Sequence, residues 1–187
     1  MTVLTDKEIR DMVENGWLGV TPFDPSLINP NSLDFRLGRS FGSVRPNVQP
    51  QVLDPLRPNT FKTDIEQHDK YILRPGQFVL ATTIETFSFN GNPSGKHPFG
   101  LAAQVMGKSS LGRLGLNNSS VAGWIDCGFF NSEITLEIKN DGHYPIILTA
   151  GMRIGQLVIY KTAYPKKSYK ATGRYNNQNS AQGSKGI

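Results

Sequence analysis

The sequence predicts one mostly β domain, a barrel or sandwich of strands that follows a short N-terminal helix. Short strand-like runs recur along the chain, and Gly and Pro turns separate them. Helical spacing of apolar residues is clear near the N-terminus, where a single helix is expected. A length of 187 residues with 37% hydrophobic composition suits one domain with a sizeable core.

The predicted helix begins after Thr5. Thr5 and Glu8 have the spacing of a capping box, in which each residue satisfies a backbone N–H of the other. Ile9, Met12 and Val13 follow at intervals that put them on one face of a helix. We therefore expect a short amphipathic helix that ends at the glycines of positions 16 and 19.

Strands are predicted where apolar residues alternate with polar ones or form short runs between turns. The runs are 32–37, 78–83, 101–105, 134–138, 146–148 and 156–160. Alternation in the fourth run puts Ile134, Leu136 and Ile138 on the core side. Thr135 and Glu137 then share the opposite face. Prolines at positions 46, 50, 55 and 58 indicate an irregular excursion between the first two runs.

Positive charge is concentrated toward the C-terminus of this chain, whose formal net charge is +5. No Asp or Glu follows Asp141, whereas seven Lys and Arg residues do, interleaved with tyrosines at positions 160, 164, 169 and 175. Such a surface suits a nucleotide phosphate or a nucleic acid. A solvated polar tail over 165–187 explains the same composition, so both interpretations stay open.

Cysteine and histidine are scarce. The single cysteine, Cys127, excludes an internal disulfide, and the three histidines are scattered, so the ligand set of zinc-dependent base deaminases is missing. Hydrolytic chemistry would have to use carboxylates, hydroxyls and a positioned water. The sequence shows neither a leader-like N-terminus nor a membrane-length apolar run, so we expect a cytoplasmic protein without membrane contact.

Residues 107–140 carry the strongest functional signal. Lys108, Ser109 and Ser110 resemble the end of a P-loop, but Ala102 stands where that motif needs its first glycine. The hydroxyls and the cations Lys108 and Arg113 still suit an anion at the start of a short helix. The alternative is an ordinary serine N-cap.

Two carboxylates in the same region are candidates for catalysis or binding. Taken alone, Glu137 is best explained by a solvated strand face, and Asp126, before Cys127 and Gly128, by a turn. Their order and spacing relative to the serine segment make the functional interpretation worth pursuing.

Three motifs together make the chain similar to the dCTP deaminases of the trimeric dUTPase superfamily. They are GKSSLGRLG at 107–115, AGWIDCGF at 122–129 and TLE at 135–137, and the tail RYNNQ at 174–178 resembles the family's K-Y-x-x-Q. The resemblance extends over most of the chain, through 25–38, 71–83 and 151–157. It implies a mostly β, distorted jelly-roll or β-barrel of the dUTPase-like type with a short N-terminal helix. It also implies a homotrimer with active sites at subunit interfaces, a single domain over 1–164, and a flexible tail over 165–187 that closes over the nucleotide.

The resemblance assigns catalysis to four residues. Glu137 would be the general base and acid, deprotonating a water that attacks C4 of cytosine and returning protons to N3 and to the leaving ammonia. Ser109 would hydrogen-bond near the reacting centre, Arg113 would hold the glutamate, and the backbone of Ala122 would fix the water.

The resemblance also assigns the nucleotide contacts. Asp126 would receive the 3′-hydroxyl, and Phe129 or Trp124 would pack beside the deoxyribose so that a 2′-hydroxyl has no room. The triphosphate would be held by Lys108, Ser110, Tyr169, Arg174 and Gln178, and its charge offset by Mg²⁺ bound through phosphate oxygens, with no metal ligand among the side chains and no zinc. The remaining residues of the implied binding set are Leu111, Gly112, Thr135 and Leu136.

The chain departs from the family pattern at three places. Lys108 stands where arginine is usual, and lysine binds phosphate without the bidentate fork. One extra residue separates Asp126 from Glu137, and the turn 130–132 is expected to absorb it. Ser119 and Val121 replace the usual histidine and threonine of a loop associated with inhibition by dTTP.

The first interpretation is therefore a dCTP deaminase that releases dUTP and ammonia for thymidylate synthesis. The alternative is a bifunctional enzyme that also hydrolyses dUTP to dUMP and pyrophosphate, because the sequence AGWID at 122–126 is more similar to the bifunctional members of the family. A pure dUTPase would leave Glu137 without a task. From a different class, a non-catalytic nucleotide or nucleic-acid binding module would use the basic tail, although the retained glutamate argues against it.

Overall fold

The protein is a strand-dominated fold with one substantial helix. The computed structural model describes residues 1–49, 51–118 and 122–186; Pro50, Ser119 and Val121, singled out above, lie outside the described residues. The strands are β1 Thr2–Val3, β2 Leu18–Thr21, β3 Ile28–Asn29, β4 Ser32–Pro46, β5 Phe61–Gln67, β6 Lys70–Leu73, β7 Phe78–Phe89, β8 Phe99–Gly107, β9 Leu116–Asn117, β10 Trp124–Ile125, β11 Ser132–Asn140, β12 Ile146–Thr149 and β13 Arg153–Ala163. The helices are α1 Asp6–Glu14, α2 Ser109–Gly112 and α3 Tyr169–Thr172, with 3-10 turns at Pro25–Leu27 and Pro58–Thr60.

Within the described chain, eleven strands form one antiparallel sheet and two form a separate ribbon. The main path runs β10-β8-β13-β4-β7-β11-β9, with β1 on β13, β2 on β7, and both β3 and β5 on β4. The ribbon pairs β12 with β6. Every sequence run predicted to be a strand lies inside one of these strands, so the mostly β fold is confirmed.

The helix prediction is also confirmed. The Thr5 N–H donates to Glu8 Oε2 at 2.9 Å, and the Glu8 N–H donates to Thr5 Oγ1 at 3.4 Å, which is the capping box expected from the sequence. Ile9 and Met12 are buried on the face that meets the sheet. No helix among the described residues is long and apolar enough to cross a membrane.

The core lies between the curled faces of the sheet. Its largest fully buried side chains include Phe35, Phe41, Phe87 and Phe89. The alternation predicted for β11 is observed, because Ile134, Leu136 and Ile138 are buried while the residues between them are not. This strand therefore ties one face to the core and presents the other to a cavity.

The β4–β5 connection over 47–60 is the irregular excursion that the prolines indicate. Its described residues form no strand, and the 3-10 turn Pro58–Thr60 leads directly into β5. The chain end approaches this excursion, since a side chain at Gly186 would meet the carbonyl of Pro55 and the ring of Pro58. The C-terminal segment thus contacts the domain over part of its length.

Candidate functional site

A cavity of about 440 Å³ opens where β10 and β11 meet the C-terminal segment. Eight residues of the implied site line it: Ala122, Trp124, Asp126, Phe129, Thr135, Glu137, Tyr169 and Gln178. Sequence reasoning missed a further set of lining residues: Val44, Phe78, Leu80, Ile125, Ile134, Tyr175, Gln182, Gly183 and Ser184. Ile125 and Tyr175 lie inside the motifs at 122–129 and 174–178, whereas residues such as Val44, Phe78 and Leu80 come from strands whose approach depends on long-range pairing, so no local signal marks them.

Glu137 reaches the cavity because of its register on β11. It pairs with Leu80 of β7, and the two-residue period of the strand turns its side chain away from the core. Within the described residues its carboxylate has no hydrogen bond and no ion pair. Leu136 differs from the prediction that it binds substrate with the rest of the set, since its side chain is 1% exposed and belongs to the core. Only its backbone is available to a ligand.

A narrow crevice of about 40 Å³ lies beside Glu137. Ala122, Gly123, Asn118 and Thr135 line it together with Glu137. A space of this size holds a water molecule, provided that polar groups surround it. Glu137 therefore borders a space that is large enough for one water molecule.

Asp126 lies in a turn, as one of its two interpretations expects, and it also lines the cavity. The Phe129 N–H donates to the Asp126 carbonyl at 3.1 Å, and Gly128 between them has a φ of +95°. The left-handed backbone at Gly128 is one that glycine adopts without strain. The Trp124 indole N–H donates to Asp126 Oδ1 at 3.1 Å.

Phe129 forms an aromatic wall of the cavity. It is 7% exposed, with its ring centroid 6.4 Å from that of Phe89 and 6.1 Å from that of Tyr169. Tyr169 is held by a hydrogen bond from its N–H to the Cys127 carbonyl at 2.8 Å. Burial raises the pKa of the Tyr169 phenol above its ordinary value, so the hydroxyl remains a neutral donor.

The C-terminal segment reaches β11 through Gln178. The Gln178 side-chain amide donates to the Glu133 carbonyl and, at 3.3 Å, to Thr135 Oγ1. The Gln182 N–H donates to the same hydroxyl at 3.2 Å. Gln178 Oε1 is buried without a hydrogen-bond partner among the described residues. The tail therefore lies over one end of the cavity in its own chain.

Arg174 does not line this cavity. Its guanidinium donates to the Gly186 carbonyl at 2.7 Å, and Lys185 stands 4.9 Å from the centroid of the Tyr175 ring. These contacts bring the two ends of the segment 174–186 together. The role predicted for Arg174 in phosphate binding needs its side chain to leave Gly186.

The serine segment occupies a different place. A separate cavity of about 400 Å³ is lined by Lys108, Ser109 and Gly112 together with residues of β9 and Asp141. Ser110 and Arg113 are exposed, and Leu111 packs on the core. Lys108 is the N-cap of α2 and makes no side-chain cap bond, so the serine N-cap alternative is wrong.

Arg113 makes no hydrogen bond or ion pair with Glu137 among the described residues of one chain. The two cavities share no lining residue, although Asn118 lines the serine cavity and also the crevice beside Glu137. The implied catalytic set is thus divided between two surfaces. Within one chain it does not form a single site.

Lys108, for which a phosphate contact is predicted, forms an ion pair within its own chain. Its ammonium donates to both carboxylate oxygens of Asp34, at 2.8 and 2.9 Å. Asp34 is 1% exposed. Its Oδ1 also accepts a hydrogen bond from Asn29 Nδ2 at 2.7 Å, and its Oδ2 lies 3.8 Å from a guanidinium nitrogen of Arg153. A carboxylate so deeply buried requires a countercharge, which Lys108 supplies. The ammonium is therefore committed within the chain.

Other titratable groups lie outside the cavity of Glu137 and Asp126, called the main cavity below. Burial raises the pKa of Glu133, a half-buried β11 residue that lines a polar cavity with Arg39 and Asp69. The described residues contain no cluster of three or more His, Cys, Asp and Glu side chains suited to a metal ion.

Comparison with known proteins gives a consistent result. A family model described as dCTP deaminase-like matches residues 3–162. A dCTP deaminase, dUMP-forming, of Methanoregula boonei is 42% identical over 187 residues, covering 98% of this chain and 96% of that protein. A protein of the same name from Corynebacterium kroppenstedtii is 39% identical over 174 residues, covering 91% and 88% of the two chains.

One solved structure supports the fold. The 2′-deoxycytidine 5′-triphosphate deaminase of Agrobacterium tumefaciens superposes with a TM-score of 0.60 at 20% identity. The match covers 87% of this chain and 48% of that one, so this chain spans about half the length of the solved protein. The distorted, mostly β architecture expected from the resemblance is confirmed.

Proposed function

Since the chain belongs to the dCTP deaminase-like family, we propose that it is a bifunctional enzyme that converts dCTP to dUMP, pyrophosphate and ammonia. The observation that carries the proposal is Glu137 in a cavity with Asp126 and Phe129, in a chain aligned almost end to end with dUMP-forming relatives. The names of those relatives favour this alternative over the interpretation in which dUTP is the final product.

In the deamination step, a water in the crevice between Ala122 and Glu137 attacks C4 of cytosine. Glu137 accepts a proton from the water as the C4–O bond forms. It delivers this proton to N3, then takes the remaining proton of the hydroxyl added at C4 and passes it to the amino group, so that the C4 carbonyl forms, the C4–N bond breaks and ammonia leaves. The carboxylate, which has no hydrogen bond or ion pair to the described residues, and the water-sized space beside it support this role.

In the second step, a water attacks the α-phosphorus of the dUTP formed in place. The bond between the α-phosphorus and its bridging oxygen breaks, and pyrophosphate departs, so two waters are consumed for each dCTP. Mg²⁺ held by the phosphate oxygens would offset the charge of the leaving group, with no protein side chain as its ligand.

Recognition of the sugar is the proposed task of Asp126 and Phe129. The carboxylate of Asp126 accepts the 3′-hydroxyl. Phe129, held between Phe89 and Tyr169, has no freedom to move away from a 2′-hydroxyl. Ribonucleotides would therefore be excluded by contact with a ring that is already packed.

Completion of the site requires a second copy of the chain. Ser109, Ser110 and Arg113 are exposed and do not line the cavity of Glu137 in their own chain, so a neighbouring subunit in a homotrimer would bring them to the nucleotide. Tyr169, Gln178 and the rest of the tail 165–187 would then close over the triphosphate.

The test is product analysis by chromatography after incubation with dCTP and Mg²⁺, and separately with dUTP. We expect dUMP, pyrophosphate and ammonia from dCTP, and none of them from dCTP with Glu137→Gln, which should still bind the nucleotide. Glu133→Gln is the matched control, because Glu133 lies on the same strand outside the main cavity and should retain activity.

Each other result would revise the proposal in a defined way. Accumulation of dUTP would limit the enzyme to deamination. Retained turnover by Glu137→Gln would remove the assigned base. An absence of product from both nucleotides, with salt-dependent binding to polynucleotides, would favour the binding-module alternative.

A further inference from the structure

We infer that Trp124 is a positioning residue that fixes the carboxylate of Asp126 for the nucleotide sugar; this rests on the proposed function. The indole N–H of Trp124 donates to Asp126 Oδ1 at 3.1 Å. Among the described residues, this is the one hydrogen bond made to the Asp126 side chain. This gives Trp124 a task other than packing beside the deoxyribose, which the resemblance implies for Phe129 or Trp124.

The indole is held in place by side chains of neighbouring strands. Its ring centroid is 5.5 Å from that of Tyr160 on β13, with the planes inclined by 36°. The Tyr160 hydroxyl donates to Gln104 Oε1 at 3.3 Å, and Gln104 on β8 is the cross-strand partner of Trp124. An aromatic side chain that is 48% exposed is therefore supported on its inner side.

Asp126 needs such support because its surroundings are open. The carboxylate is exposed and belongs to a turn, and rotation about the last side-chain bond of aspartate is only weakly restricted. Trp124 and Asp126 also line a second cavity of about 290 Å³, so they form the wall between that space and the main cavity. With the indole N–H on Oδ1, the carboxylate is oriented and Oδ2 remains available to accept a hydroxyl.

This arrangement divides the work between two aromatic residues. Phe129 is buried between Phe89 and Tyr169 and defines the shape of the sugar pocket. Trp124 does not contact the sugar itself but orients the Asp126 carboxylate that does. Loss of the indole N–H should therefore weaken the binding of nucleotides that carry a 3′-hydroxyl. It should not change the binding of nucleotides that lack this group.

The experiment measures binding of dCTP and of 2′,3′-dideoxy-CTP by calorimetry, in the Glu137→Gln background so that turnover does not interfere. Trp124→Phe keeps a ring on Tyr160 and removes the N–H. We expect about a three- to tenfold weaker Kd for dCTP, the size of one hydrogen bond, and a change below about twofold for the dideoxy nucleotide. Trp17→Phe is the matched control, because Trp17 packs on Phe99 outside the site and should change neither Kd.

A double-mutant cycle tests the route through Asp126. In an Asp126→Asn background, Trp124→Phe should have no further effect on dCTP, because the group it positions has been changed. Equal weakening of both nucleotides by Trp124→Phe would assign a general structural role to the ring and overturn the inference, as would an unchanged Kd for dCTP. Failure of the proposed function would be seen separately, as absent turnover in the unmodified protein.

Discussion

Replacing Lys108 with methionine removes the ammonium group that faces the buried carboxylate of Asp34. Breaking a buried ion pair by deleting one partner costs about 3–5 kcal/mol. Lys108 is 28% exposed, and Asn29 and Arg153 still reach Asp34, so we expect the free energy of unfolding to fall by about 2–3 kcal/mol. For a chain of this length, that corresponds to a drop in Tm of about 5–10 °C.

The measurement is denaturant unfolding at pH 7 and one fixed protein concentration, because association would otherwise shift the transition. The control is Asp34→Asn combined with Lys108→Met, which removes both charges and should recover most of the lost stability. The double variant should also bind dCTP within about twofold of the unmodified protein if Lys108 has only this internal role. A loss below about 1 kcal/mol for Lys108→Met would refute the pairing argument, and dCTP binding lost in the stable double variant would restore Lys108 as a phosphate ligand.

Three further changes test other parts of the structure. Burial raises the pKa of Glu133, so ionising this carboxyl at neutral pH destabilises the folded state. Glu133→Gln should therefore raise the Tm at pH 7. The gain should vanish below about pH 4, where the carboxyl is protonated in both the folded and the unfolded state. A Cβ at Gly183 would overlap Thr63, so Gly183→Ala should make the tail more susceptible to limited proteolysis, and Thr63→Gly should reverse the effect; unchanged cleavage would show that the tail does not dock there. Truncation before Arg174 removes Gln178 and should raise the KM for dCTP severalfold, whereas identical steady-state kinetics would contradict the closure of the tail.

Local features of this chain could be predicted because neighbouring residues determine them. The capping box of Thr5 and Glu8 specifies where α1 begins, and the alternation in β11 specifies which residues face the core. Both signals are contained in a few consecutive positions. The same alternation puts Glu137 on the face opposite the core, whereas its candidate role came from the family resemblance.

Long-range partners could not be predicted in this way. Lys108 and Asp34 are 74 positions apart, and their ion pair depends on β13 lying between β4 and β8, an order that no local pattern encodes. The link from Gln178 to Thr135 likewise joins positions 43 residues apart. The separation of Arg113 from Glu137 was missed because the family motifs describe an assembled site, whereas a sequence does not state which copy supplies each motif.

Because the side chains of β11 alternate between the core and the cavity, an insertion or deletion within this strand would disturb the candidate site. Leu136 is in the core and Glu137 faces the cavity, so a shift of one residue would exchange their environments, burying a carboxylate and exposing a leucine. Insertions or deletions inside 132–140 would therefore cost both folding and activity at once. The turn before the strand, where Asn131 adopts a φ of +44°, is the stretch in which an added residue can be accommodated while Glu137 keeps its orientation.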